Sequence, residues 1–85
     1  MKNVTVYMGP MCAFCDAAKR LLTKKNIPYK EINIALDENK REEMLKKSNG
    51  AKTIPQIFIG EKHVGGYTEL KTLENKGELD ILLKN

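Results

Sequence analysis

Cys12 and Cys15 are the only cysteines in the chain, and they lie three residues apart in the stretch Met8-Gly-Pro-Met-Cys-Ala-Phe-Cys-Asp-Ala-Ala-Lys19. A β-type run precedes them and a helical pattern follows, so a helix begins at the first cysteine. The unpaired N–H groups of its first turn and the positive end of its dipole then favour a thiolate at Cys12. Such a terminus contributes roughly 0.3–1 kcal/mol to a nearby anion and at most about 2. Anything beyond that requires the N–H groups of residues 14 and 15 to donate to the sulfur, or a cation close by. Cys12 is therefore expected to be the reactive sulfur. Cys15, one turn further in and on the same face, is less exposed and placed to attack a mixed disulfide on Cys12.

The same spacing has two other uses. A permanent disulfide across a four-residue loop stabilises by only about 2 kcal/mol, against about 3 for a fifteen-residue loop, so it is a weak staple. A tetrahedral zinc site needs four ligands, and the chain offers two cysteines and a distant His63. Redox cycling fits the spacing and context best, and no metal is expected.

What must carry these thiols is small. Eighty-five residues make one domain, residues 1–85, with a modest core. The chain is 41% apolar and 31% charged, as an ordinary globular protein is. It has no run near the roughly 18 apolar residues of a membrane span, and its first residues lack the apolar stretch of a secretion signal. The expectation is a cytoplasmic, monomeric protein with no membrane contact, in a compartment where a disulfide cycles rather than persists. The net charge of +4 comes mostly from Lys19, Arg20, Lys24, Lys25, Lys40, Arg41, Lys46 and Lys47. These read as solvated helix faces with a weak pull on anionic thiol substrates. With five aromatic residues, none interleaved with the basic pairs, nucleic acid is not an expected partner.

The element pattern follows from periodicity. Val4-Thr5-Val6-Tyr7 is a strand ended by Gly9-Pro10. Apolar residues at 14, 17, 18, 21 and 22 mark a helix from about Ala13 to Lys25, with Asn26 as its stop. Tyr29 to Ile34 alternates as a strand. Asp37 or Asn39, the latter with Glu42 as a capping box, starts a helix that ends near Asn49-Gly50. It carries few apolar residues, mainly Met44 and Leu45, and lies on the surface. Gln56-Ile57-Phe58-Ile59 is a buried central strand, paired as a hairpin with a short strand at His63-Val64. Thr68 is expected to cap a helix containing Leu70 and Leu73. Gly77 breaks that helix before a last stripe of Leu79, Leu82 and Leu83. The order β-α-β-α-β-β-α implies an α/β, three-layer sandwich around a mixed four-stranded sheet, with two parallel crossovers before an antiparallel hairpin. Ligands gather at the carboxyl ends of strands in such sheets, which is where the cysteines stand. Met8 and Met11 read as gap-fillers and His63 as an exposed hairpin residue.

Cys-x-x-Cys, Thr53-Ile54-Pro55 and Gly65-Gly66, in that order, resemble the glutaredoxin family, and within it the small bacterial glutaredoxin 3 type with a thioredoxin-like fold. The likeness runs from Val4 to Leu83. It implies an enzyme that reduces protein disulfides and glutathione mixed disulfides, with Cys12 as nucleophile, Cys15 as resolving thiol and glutathione as the reducing co-substrate. Its partners would be glutathione and disulfide-containing or glutathionylated proteins. By the same resemblance, Pro55 is a cis proline that leaves the Ile54 backbone free to pair with glutathione as an added strand. From the residues alone, a trans proline opening a strand is the simpler reading. Gly65-Gly66 with Tyr67 and Thr68 corresponds to the segment that holds the γ-glutamyl end, where a helix start offers N–H groups to a carboxylate. Phe14 either flanks the sulfur or belongs to the apolar stripe of its helix. Glutathione is thus expected against Cys12, Phe14, Lys52, Thr53, Ile54, Pro55, Gly66, Tyr67 and Thr68.

The chain departs from the family pattern at three places. The usual Cys-Pro-Tyr-Cys is Cys-Ala-Phe-Cys, so Ala13 leaves the first helical position without a fixed dihedral. A lysine common before the first cysteine is replaced by Gly9 or Pro10, and Lys52 is the cation available in its stead. The acidic pair after the glycines becomes Thr68-Glu69. Two other readings stay open: a carrier of a glutathione-ligated iron–sulfur cluster bridging two chains through Cys12, and an electron donor served by thioredoxin reductase.

Overall fold

The computed structural model describes residues 1–85. Val4–Met8 forms β1, Ala13–Lys24 α1, Lys30–Asn33 β2, Glu38–Lys47 α2, Gln56–Ile59 β3, Lys62–Gly65 β4, Tyr67–Asn75 α3 and Leu79–Leu83 α4. Gly77, at a φ of 72°, separates the last leucine stripe into a helix of its own, so the chain ends in two helices where one broken helix was anticipated. The elements make a thioredoxin-like α/β fold around a mixed sheet with strand order β2-β1-β3-β4.

β1 and β2 are parallel and joined through α1. The second connection is not a parallel crossover as expected, because β3 runs antiparallel to β1 with Gln56 opposite Tyr7 and Ile59 opposite Val4. After α2, Asn49 and Gly50 take left-handed φ values of 58° and 94°. The segment 48–55, at about 3.3 Å per extended residue, then carries the chain to the carboxyl end of β1. β3 therefore starts beside the cysteines rather than away from them.

Strand alternation divides the interior in two. Val4, Val6, Ile57 and Ile59 face one side, where Ala18, Leu22, Leu70, Leu79 and Leu83 of α1, α3 and α4, with Ile27 after α1, complete a ten-residue core. Tyr7 and Phe58 face the other side and close on Met44 of α2. Met44 is wholly buried, and Leu45 is the only other apolar residue of α2. Asp37 alone caps α2, its Oδ1 accepting from the Asn39 N–H at 2.9 Å, so the anticipated Asn39–Glu42 box does not form. The buried stripe of α1 is Cys15, Ala18 and Leu22, rotated from the expected one: Phe14 is 62% exposed. Lys25, at the end of α1, pairs with Glu74 at 2.6 Å and Asp80 at 3.0 Å, tying α1 to α3 and α4.

Candidate active site

Cys12 is the N-cap of α1, in extended backbone with φ −121° and ψ 100°. Its sulfur accepts the Cys15 N–H at 3.1 Å. Of the two donors anticipated, only that of residue 15 reaches the sulfur. A cap usually presents an oxygen to this N–H, and a sulfur in that place receives the same directed donor and the same positive helix end. Cys12 is partly accessible, while Cys15 is 1% exposed. The two sulfurs are joined as a disulfide, with their Cα atoms 5.2 Å apart.

Three segments converge on the loop before β3. The Ile54–Pro55 peptide is cis, as the resemblance implied and the residues alone did not. The Ile54 carbonyl oxygen lies 3.8 Å from Cys12 Sγ. From β1, Gly9 approaches so closely that a Cβ there would stand 2.9 Å from Ile54 Cδ1. On the third side, a Cβ on Gly66 would stand 3.5 Å from the Pro55 carbonyl oxygen. A side chain at position 9 would require the end of the Ile54 side chain to shift.

α3 begins two residues earlier than anticipated, because Gly66 and not Thr68 is its cap. Glu69 reaches back, its Oε1 accepting the Gly66 N–H at 2.7 Å. Gly65, at a φ of 117°, has no room for a side chain: its Cβ would lie 2.9 Å from Glu69 Cγ. Thr68 sits in the first turn, exposed, where backbone N–H groups lack helical partners. Phe14 is exposed and does not belong to the core. Its ring stacks on Tyr67 with centroids 6.0 Å apart and planes 17° from parallel, which links the start of α1 to the start of α3. Lys52 and Thr53 are exposed on the approach to the cis proline.

A family model described as Glutaredoxin matches residues 4–64. The chain belongs to the glutaredoxin family. As a member it is a thiol–disulfide oxidoreductase with a redox-active cysteine pair. It is 45% identical over 84 residues to glutaredoxin 3 of Escherichia coli strain K12, covering 99% of this chain and 100% of that one. Over 86 residues it is 44% identical to glutaredoxin 1 of Rickettsia conorii, covering 100% of this chain and 84% of that one. Among solved structures, the glutaredoxin of Brucella melitensis superposes with a TM-score of 0.85 at 44% identity, over 99% of this chain and 90% of that one. A buckwheat glutaredoxin–glutathione complex does so with a TM-score of 0.86 at 25% identity, over 96% and 76%.

Beside the glutaredoxin dithiol stand groups that sequence reasoning passed over. Met11, between Pro10 and Cys12, is wholly exposed at a left-handed φ of 52°, so it fills no gap. Gln56 is 3% exposed in a strand otherwise apolar, and His63 is partly buried rather than free. His63 Nε2 lies 2.6 Å from Gln56 Oε1. A polar residue in a buried strand must find partners, so Gln56 was a signal available from the sequence. On the same sheet face, the Tyr7 hydroxyl donates to Glu43. That hydrogen bond, aided by Lys40, holds the Glu43 carboxyl below the usual carboxylate range. Burial, then the Glu43 contact, pushes the Tyr7 hydroxyl well above the usual phenol range.

Proposed function

We propose that this glutaredoxin is glutathione-dependent, reducing glutathione mixed disulfides and protein disulfides in a reducing, cytoplasmic thiol pool. The observation that carries the reading is the asymmetry of the pair. Cys12 is accessible and accepts the Cys15 N–H, Cys15 is buried behind it, and both adjoin a cis-proline loop. The glutathione bound in the buckwheat relative supports the choice of reductant.

The Cys12 thiolate attacks the glutathionyl sulfur of a mixed disulfide, forming a Cys12–glutathione disulfide and expelling the protein thiolate, which takes up a proton. A second glutathione thiolate then attacks that glutathionyl sulfur. Glutathione disulfide leaves and the Cys12 thiolate returns. With a protein disulfide, Cys12 is joined to the substrate instead, and Cys15 attacks Cys12 Sγ to release the second substrate thiol. The resulting Cys12–Cys15 disulfide is reduced by two glutathiones, which leave as glutathione disulfide. In this scheme the Ile54 backbone pairs with the cysteinyl unit of glutathione as an added strand beside Pro55. The first turn of α3 at Gly66, Tyr67 and Thr68 receives the γ-glutamyl carboxylate. Lys52 and Thr53 receive the glycyl end, and the Phe14–Tyr67 stack walls the cleft.

The test is turnover of a glutathionylated substrate coupled to glutathione and glutathione reductase, run beside the same assay with thioredoxin reductase. The expected result is turnover only with glutathione, abolished in Cys12→Ser and partly retained in Cys15→Ser. Turnover only with thioredoxin reductase, or unaltered turnover in Cys12→Ser, would overturn the reading.

A further inference from the structure

The loop that carries Thr53, Ile54 and cis Pro55 is held from behind by a side-chain relay. Gln56 Nε2 donates to the Thr53 carbonyl oxygen at 2.9 Å and to Thr53 Oγ1 at 3.2 Å. A carbonyl oxygen only accepts, so the amide must turn its nitrogen toward Thr53 and its oxygen toward His63. Gln56 Oε1 then lies 2.6 Å from His63 Nε2, which must carry a proton. His63 is itself fixed: it stands opposite Phe58 in the β3–β4 pairing, next to an irregularity in the register, and its ring stacks on Phe58 with centroids 4.9 Å apart. Gln56 is buried, and without His63 its oxygen would lose the only donor it has. The amide could then turn over and offer its oxygen to the Thr53 carbonyl, which repels it.

We propose that His63 and Gln56 are positioning residues that hold the backbone before cis Pro55 in the form that accepts glutathione, acting on substrate binding through Thr53 and not on the thiol chemistry. The proposal rests on the reading that this loop is where glutathione pairs. No part of the relay touches either cysteine, so it bears on KM and leaves the reactivity of Cys12 alone.

The experiment compares His63→Phe, which keeps an aromatic ring against Phe58 but has no N–H, with His63→Gln, which keeps an N–H donor at similar reach. Steady-state turnover of a glutathionylated peptide with glutathione is measured beside the alkylation rate of reduced Cys12 by iodoacetamide. In His63→Phe, KM rises about fivefold to tenfold, as for the loss of one buried hydrogen bond, with kcat and alkylation near wild type. In His63→Gln, KM returns most of the way, and the Gln56 side-chain amide protons, shifted in His63→Phe by NMR, return with it. A wild-type KM in His63→Phe, or equal defects in the two variants, would overturn the proposal. Wild-type protein that fails to turn over with glutathione would instead overturn the functional reading, and the amide resonances would still report whether His63 orients Gln56.

Discussion

The two faces of the sheet are built from different materials. Under α1, α3 and α4 the interior is aliphatic: Val4, Val6, Leu22, Ile57, Ile59, Leu70, Leu79 and Leu83 meet with no polar side chain among them. Under α2 the apolar set is Tyr7, Met44 and Phe58, and polar contacts flank it: Tyr7 to Glu43, and His63 to Gln56 to Thr53. Aliphatic packing is nondirectional and tolerates small shifts. Hydrogen bonds are directional and fix where a backbone atom stands. The first face therefore supplies most of the free energy that holds the chain folded. The second supplies the geometry of the loop at 53–55, with Ile54 packed against its cluster.

Breaking the first face gives the largest effect. Leu79, wholly buried in the aliphatic cluster, which contains neither cysteine, should cost about 2–5 kcal/mol of stability when changed to Ala. Turnover per folded molecule should stay at the wild-type level. Urea unfolding with activity at low denaturant checks both, and a loss of specific activity without a loss of stability would erase the distinction between the faces.

Tyr7→Phe sharpens the comparison at smaller scale. A hydrogen bond to a charged group contributes about 1.5–3 kcal/mol, but the Glu43 side chain is 34% exposed, so solvent screening reduces the expected loss to about 1 kcal/mol. The pH dependence carries the signature. Glu43 is depressed in the folded state, so its contribution is present above its unfolded pKa and is lost as pH falls through the folded value. Tyr7 is raised, so its contribution is full below its unfolded pKa and is lost as pH rises through the folded value. Tyr7→Phe should flatten both limbs of the stability profile, followed by urea midpoint against pH. Unchanged limbs would remove the Tyr7–Glu43 pair from the account. At the small end, Ile81, exposed on α4, should change stability by less than about 0.5 kcal/mol as Ile81→Gln, read from the thermal midpoint.

How much was legible follows the same division. Period-2 and period-3.6 patterns concern which residues become buried, and they gave β1, α1, β3 and the last leucines with their ends nearly right. The thiol asymmetry was readable too, because a helix start acts on whatever residue caps it. Directional contacts between distant residues have no such period. Gln56 and His63 meet across a hairpin whose register is irregular, and Phe14 leaves its stripe to stack on Tyr67. Glu69 accepts the Gly66 N–H at a helix start that Thr68 was expected to cap. The antiparallel entry of β3 depends on left-handed residues at 49 and 50, of which only the glycine advertises itself. The cis bond before Pro55 came from the family likeness and not from the local residues.

The central claim is that α1 presents Cys12 as an activated sulfur by giving it the Cys15 N–H and the helix start. The direct test is the iodoacetamide alkylation rate of the reduced Cys15→Ser chain in mildly acidic solution, folded and then unfolded in urea. The folded chain should react about tenfold faster, the equivalent of about 1.4 kcal/mol from one directed donor and a helix terminus. Equal rates in the folded and unfolded chains would contradict the account.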